Sequence, residues 1–197
     1  MIFPVRKFRF STYQSTATLP IIVEAARYGD ENAYRELVNR TYKSVKSYCS
    51  VMGSPMDSED LAQEAYVRAI RGNTPILSTE NLEAFMIAIA KFVCADFIKL
   101  KAKVKSLQVK LEAFDTEFDA DIKMYSDFDF DIQVLDELSG QHKQIVFLVV
   151  IAGFSYDETA QILELPIGTV RSRLNRAKEI LRNSLDNGTI SEQLMTS

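Results

Sequence analysis

The sequence has no tryptophan, one histidine, two cysteines, and few glycines and prolines among its 197 residues. Cys49 and Cys94 form no C-x-x-C pair, which argues against both a disulfide framework and a zinc site. This cysteine usage suits a reducing compartment, and we expect a cytoplasmic protein. His142 has no partner histidine, cysteine or triad, which argues against a catalytic role. The scarcity of glycine and proline, without period-two alternation, predicts an all-α fold.

Long hydrophobic runs are also missing. The longest apolar stretch, residues 145–153, has about half the length that a membrane span needs, so it predicts a buried helix. Residues 1–18 mix basic and aromatic side chains without the apolar core of a secretory signal, and we assign them to an N-terminal extension. No part of the chain combines a nucleophile, a base and an orienting group. We therefore expect neither an enzyme nor a metal or other cofactor.

Charge is strongly segregated, although the net charge is only −4. Residues 91–110 carry six lysines and one acid, and residues 112–137 carry ten acids and one lysine. Residues 166–182 are basic again, with five positive side chains and one negative. Local charge decides which surfaces meet a polyanion, so basic faces remain possible in an acidic chain. We place an acidic linker at residues 106–133, either as a solvated spacer or as a nucleic-acid mimic that shields the basic faces.

The second half of the chain predicts a helix-turn-helix. Ser155 and Glu158 fit a capping box, which starts a helix that runs to about Leu163, and Pro166 marks the start of the next helix. In that second helix an apolar stripe packs inward. The stripe consists of Val170, Leu174, Ala177 and Leu181. Arginines on the flanks fit a recognition helix, because a guanidinium grips a guanine edge or a phosphate at two points. The alternative is that these arginines only solvate the outer face.

The first half predicts several packed helices. Asp30 caps one helix, and an acidic helix start follows Met56, with Gly72 ending that helix. After a loop at residues 73–81 comes a long apolar helix that ends in lysines. Acids at a helix start and lysines at a helix end also suit the helix dipole, so a structural role and a partner-binding role both stay open.

Three motifs resemble one family, the extracytoplasmic-function (ECF) type of sigma factors of bacterial RNA polymerase. FSYDETAQILELPIGTVRSRLNRAKEILR resembles the region 4 signature of that family. DSEDLAQEAYVRAI resembles the region 2 stretch that docks on the polymerase clamp helices. AFMIAIAKFVCADFIKLKAK resembles the region 2 helix that reads and opens the downstream promoter element. The resemblance covers about residues 19–183.

The resemblance implies two small helical domains joined by the acidic linker. Region 2 would occupy residues 19–105 and region 4 residues 134–185, with a polar tail at residues 186–197. It also implies a non-catalytic role, in which the chain delivers core RNA polymerase to promoter DNA. An anti-sigma factor or another regulatory partner is expected, and membrane insertion is not.

The resemblance further implies three groups of contact residues. Contacts to the minus-35 element are expected from Thr169, Arg171, Ser172, Arg173, Arg176 and Lys178. Contacts to the minus-10 element are expected from Lys91, Lys99, Lys101 and Lys103. Contacts to core polymerase are expected from Asp57, Glu59, Asp60, Gln63 and Glu64. The loop at residues 73–81 would capture an everted base, and the linker would run toward the RNA exit path.

Some positions depart from the family pattern. Met86 stands where the family usually has tryptophan, Phe92 where it usually has asparagine, and lysines replace the usual arginines after Asp96. Lysine gives a point charge without a bidentate grip, so we expect this helix to position DNA more than to read bases.

Two other functions stay open at this stage. A stand-alone helix-turn-helix regulator would leave residues 56–105 without a purpose. A sigma-like decoy would bind polymerase or an anti-sigma factor without initiating transcription. The charge pattern also predicts that the free chain folds back into a compact form that binds DNA poorly until core polymerase separates its domains.

Overall fold

The structure is a computed structural model that describes residues 19–72, 81–111 and 132–186. The predicted extension and tail, nearly all of the 73–81 loop and residues 112–131 of the linker lie outside these ranges. Every regular element within the described ranges is a helix, which confirms the all-α prediction. None of these helices is long and apolar enough to cross a membrane.

The helices form two groups. The N-terminal group contains α1 (Leu19–Arg27), α2 (Glu31–Met52), α3 (Ser58–Arg71) and α4 (Leu82–Leu111). The C-terminal group contains a 3₁₀ helix (Ile132–Glu137), α5 (Gly140–Val146), a π-helical turn (Phe147–Ile151), α6 (Tyr156–Leu163) and α7 (Ile167–Asp186). Helix α4 continues to Leu111, past residue 105, where region 2 is predicted to end. The start of the linker at residue 106 stays a prediction.

Local sequence signals set the ends of the N-terminal helices. The Asp30 carboxylate accepts hydrogen bonds from the backbone N–H groups of Asn32 and Ala33, at 2.9 and 3.0 Å, and thereby caps α2. Helix α3 ends at Gly72, whose φ of 80° is accessible to glycine without a Cβ clash. Both boundaries agree with the predicted cap and stop.

Helix α2 lies at the centre of the N-terminal group and packs against α1, α3 and α4. An apolar stripe on α3 is buried in the same core. This stripe consists of Leu61, Ala62, Ala65, Tyr66 and Ala69. The first half of α4 is buried as well, whereas its second half is exposed from Ile98 to Ser106. Only the first half of α4 therefore contributes to the core, and the second half is available to partners.

The C-terminal group contains the predicted capping box. The Ser155 hydroxyl accepts a hydrogen bond from the Glu158 N–H at 3.2 Å, and the Glu158 carboxylate accepts one from the Ser155 N–H at 2.9 Å. The apolar run at residues 145–153 is predicted to form a buried helix, but the structure divides this part of the chain between α5 and the π-helical turn. The turn is wide because the Ala152 N–H bonds to the Phe147 carbonyl, five residues earlier, at 2.8 Å.

The two groups share one hydrophobic core. Tyr48 of α2 and Phe147 of the π-helical turn are both buried and meet edge to face, with ring centroids 5.4 Å apart. Gln144 of α5 donates its side-chain amide to the Tyr48 hydroxyl at 2.5 Å. Helix α6 also contacts α4. The C-terminal group is therefore docked on the N-terminal group through apolar and polar contacts.

Candidate functional site

Helix α7 has one buried side and one charged side. Val170, Leu174 and Ala177 are buried, as the stripe predicts, and they fix the rotation of the helix, whereas Leu181 is half-buried. Most of the predicted minus-35 residues consequently point away from the core. Arg171, Ser172, Arg176 and Lys178 are exposed, and Thr169 and Arg173 are half-buried. The outward side of α7 is therefore basic and accessible.

The first turn of α7 is held by short contacts. The Thr169 N–H bonds to the Pro166 carbonyl at 2.8 Å, and the Ser172 hydroxyl donates to the Thr169 carbonyl at 3.1 Å. The Arg171 guanidinium carbon lies 5.8 Å from the ring centroid of Tyr156, at the start of α6. A cation over an aromatic ring is attracted by its quadrupole, so Tyr156 orients Arg171. Tyr156 is not among the contact residues predicted from the sequence. Its position on the first turn of α6 places it beside Arg171 of α7.

Among the predicted polymerase contacts, Asp57 is bound within the chain. Its carboxylate accepts a hydrogen bond from the Lys101 ammonium at 3.0 Å and makes no capping bond to α3. The hydrogen bond from Lys101, and to a smaller extent the one from Ser54, lowers the pKa of Asp57. A predicted polymerase contact and a predicted minus-10 contact are therefore paired with each other.

Two further acids on α3 also have basic partners. Glu59 accepts from Lys46 at 2.8 Å, and Glu64 accepts from Arg68 at 2.8 Å. Arg68 extends to Asp96 of α4, also at 2.8 Å. Exposed ion pairs of this kind contribute little to stability and exchange partners at low cost. These acids remain accessible to another protein despite their pairing.

Asp60 and Gln63 are the remaining predicted polymerase contacts, and both are exposed on the outer face of α3. Two apolar side chains are exposed near them, Met56 by 65% and Val67 by 37%. Val67 follows Asp60 by seven residues and therefore lies on the same side of the helix. The sequence reasoning missed both apolar residues, although helical periodicity alone would have found Val67. Acidic and apolar side chains thus share this face.

The four predicted minus-10 lysines do not form one surface. Lys91 is only 15% exposed, and its ammonium donates to the Ile162 carbonyl and the Glu164 carboxylate, both at 2.9 Å. Lys99 and Lys103 are exposed on α4, and no ion pair joins either to another described residue. Lys101 is paired as above. Lys99, Lys101 and Lys103 are thus exposed, although Lys101 is paired with Asp57, and Lys91 is held by the C-terminal group.

Glu164 has an unusual backbone for its residue type. Its φ is 56°, the only positive φ of a non-glycine residue within the described ranges. It terminates α6 in the left-handed conformation, which costs an L-residue about 1 kcal/mol. Glu164 links α6 to α4 through its contact with Lys91. A second hydrogen bond lies nearby, where the Asn81 side-chain amide donates to the Glu158 carboxylate at 2.8 Å. Sequence reasoning missed both links because they depend on how α4 and α6 pack together.

Comparison with known proteins agrees with this arrangement. The sequence model of sigma-70 region 2 matches residues 33–104, and that of sigma-70, region 4, matches residues 132–181. The two matches together cover more than half of the chain.

The relatives are ECF sigma factors. The ECF RNA polymerase sigma-E factor of Escherichia coli K12 is 27% identical over 182 residues, which cover 84% of this chain and 93% of that protein. The ECF RNA polymerase sigma factor SigC of Mycobacterium tuberculosis is 23% identical over 166 residues, covering 84% of this chain and 89% of SigC. The structure of the sigma factor RpoE from Bartonella quintana, solved with the anti-sigma factor NepR, has the same fold, with a TM-score of 0.59 and 20% identity. The structural match covers 78% of this chain and 96% of the Bartonella quintana chain.

The chain belongs to the sigma-70 family of RNA polymerase sigma factors, in its ECF type. It directs promoter recognition by RNA polymerase, and as a sigma factor it is a non-catalytic subunit. The open alternatives of a stand-alone regulator and of a decoy are therefore superseded.

Proposed function

We propose that the charged faces described above divide the work of promoter recognition. The outward side of α7 binds the minus-35 element, and the lysine-bearing part of α4 binds the minus-10 element. The outer face of α3 docks on the clamp helices of core polymerase. The observation that carries the proposal is α7, because a buried apolar stripe turns its basic side outward directly after the capped helix α6. Promoter-specific run-off transcription, with core polymerase and the full-length chain, tests the proposal as a whole.

The minus-35 assignment predicts the behaviour of Arg176→Ala. The exposed Arg176 would neutralise one phosphate or grip a base, so its loss should weaken promoter binding and reduce the salt slope by about one. Binding of holoenzyme to promoter DNA is measured at several salt concentrations. Arg35→Ala is the matched control, since Arg35 is 74% exposed on α2, outside the proposed DNA surfaces. Equal salt slopes for both variants would contradict the assignment.

The polymerase assignment predicts the behaviour of Asp60→Ala. Asp60 is exposed on α3, so its loss should weaken binding to core polymerase while leaving the DNA contacts intact. Titration of fluorescently labelled chain with core polymerase gives the affinity. Glu31→Ala removes another exposed acid, 87% accessible at the start of α2, and serves as the control. Unchanged core affinity for Asp60→Ala would show that the clamp contacts are assigned wrongly.

We also propose that an anti-sigma factor or another regulatory protein controls this chain, and that both work in the cytoplasm. The Bartonella quintana protein was solved with an anti-sigma factor, which supports a partner of this kind. A cytoplasmic location suits a protein that acts on polymerase and DNA. In the structure, the two cysteines are free and buried, as suits a reducing compartment.

Finally, we propose that the closed arrangement of the two helical groups binds DNA poorly until core polymerase separates them. The support comes from Lys91, a proposed minus-10 contact whose ammonium is ion-paired with the Glu164 carboxylate. The Asn81–Glu158 hydrogen bond reinforces the same contact between α4 and α6.

A further inference from the structure

Phe92 is exposed on a helix whose other early aromatic residue is buried. Its side chain is 49% exposed, whereas Phe85 of the same helix is fully buried. Keeping half of an aromatic ring in water forgoes the stabilisation that burial would give. Phe92 therefore contributes less to the core than its residue type allows, and its ring is available to a partner.

The surroundings of Phe92 on α4 are basic. Asp96, Lys99 and Lys103 follow it by four, seven and eleven residues, so all four lie on one side of the helix. All of them are exposed, and the acid among them, Asp96, is neutralised by its 2.8 Å contact with Arg68. Lys99 lies about 10 Å from Phe92 along the helix axis, and Lys103 about 16 Å. This side of α4 combines one aromatic ring with two ammonium groups that no other described residue pairs with.

The Phe92 ring is also polarised by a cation. The Lys91 ammonium lies 4.5 Å from the ring centroid while it holds Glu164 of the C-terminal group. The ring stays half exposed in this closed arrangement. If the two groups separate, the same ammonium becomes available beside the ring.

An aromatic ring among lysines suits single-stranded nucleic acid. Bases stack on aromatic side chains while lysines track the phosphates, and stacking tolerates any base because each base has a π-face. We infer that Phe92 is a base-stacking residue that holds one unpaired base of the opened minus-10 region, with Lys99 and Lys103 on the adjacent phosphates. The inference rests on the proposed minus-10 role of α4. Phenylalanine has no hydrogen-bonding group, so Phe92 retains the opened strand rather than reading a base edge.

The test uses holoenzyme and fork-junction DNA whose minus-10 segment is single-stranded. Phe92→Ala and Phe92→Leu should each weaken binding about tenfold, because both lack a π-face, whereas Phe92→Tyr should bind like the parent. A series of forks with one abasic position at a time locates the stacked base. At that position the parent chain should fall to the affinity of Phe92→Ala, and Phe92→Ala should lose nothing further.

The matched control is Lys99→Ala. This variant should weaken binding to intact and abasic forks alike and reduce the salt slope by about one. Phe92→Leu binding as tightly as the parent, or a Phe92→Ala effect that persists at every abasic position, would overturn the stacking role. A loss of core polymerase binding in Phe92→Ala, without a loss on DNA, would instead make Phe92 a protein contact.

The outcome for the lysines separates this inference from the proposal beneath it. If Lys99→Ala and Lys103→Ala weaken fork binding but Phe92→Ala does not, the minus-10 assignment stands and the stacking role is wrong. If none of the three has an effect while run-off transcription proceeds, the minus-10 assignment itself fails. Urea unfolding of Phe92→Ala checks the fold, which should be retained because the side chain is half exposed.

Discussion

Thr159 of α6 has a buried hydroxyl that no other described residue bonds to. The residue is fully buried, and its Oγ1 makes no hydrogen bond within the described structure. A hydroxyl that loses water and gains no hydrogen bond opposes folding by about 1–3 kcal/mol. We expect Thr159→Val, which replaces the hydroxyl by a methyl group, to raise the free energy of unfolding by about 1 kcal/mol.

Urea unfolding measures this change. Thr159→Ser is the control, because it keeps the hydroxyl and removes the methyl group, and it should lower stability. A loss of stability in Thr159→Val would mean that the hydroxyl does find a partner.

Individual residues differ in how well their roles follow from sequence. Ser155, Asp30 and Gly72 are predictable as caps or stops, because the first two bind backbone N–H groups within three residues and the third adopts a positive φ that suits glycine. The partners of Lys91 and Asp57 could not be assigned in this way. Their ion pairs join residues 73 and 44 positions apart, so they depend on packing that no local pattern encodes.

Among the elements, α6 carries a pH-sensitive contact. Hydrogen bonds from Asn81 and from Ser155 lower the pKa of Glu158 below its ordinary value of 4.5. A depressed carboxyl pKa adds stability that is fully present above that ordinary value and is lost as the pH falls through the folded-state pKa. We therefore expect acidification from pH 7 to below 4 to weaken both the α6 cap and its contact with α4.

The measurement is urea unfolding of the parent chain and of Glu158→Gln at pH 7 and near pH 3.5. Glu158→Gln cannot titrate at this position, so acid should cost it less stability than it costs the parent. Equal losses in the two chains would show that the Glu158 contacts add no pH-dependent stability.

The helices themselves were largely predictable. The stripes of α3 and α7 repeat at helical spacing, and the core buries both apart from Leu181, which is half-buried against it. The π-helical turn was not predictable, because the run at residues 145–153 is apolar throughout and shows no face. Within that turn, Phe147 packs edge to face against Tyr48 of α2. An apolar run without interspersed polar residues therefore does not indicate whether the helix is α or π, and tertiary contacts decide it.

For the whole molecule, the closed arrangement makes a prediction about Lys91. In the free chain Lys91 is 15% exposed and bonded to the C-terminal group, whereas Lys99 and Lys103 are exposed. Amine acetylation should therefore modify Lys91 more slowly than the other two. Adding core polymerase without DNA should raise the Lys91 rate toward that of Lys99, because the two groups would separate.

Peptide mass spectrometry after a short acetylation pulse gives the three rates. Lys99 and Lys103 serve as internal controls for general changes in reactivity. A Lys91 rate that stays slow in the holoenzyme would contradict the separation of the groups by polymerase.

The shared core around Tyr48 and Phe147 also affects competition for polymerase. If core polymerase binds only the opened chain, the observed binding free energy is weaker than the intrinsic one by the free energy of opening. A tighter core between the two helical groups would then make this sigma factor a weaker rival of other sigma factors for a limited supply of polymerase. Packing at one internal contact would in this way set the share of polymerase that the chain captures, without any change in its promoter-binding residues.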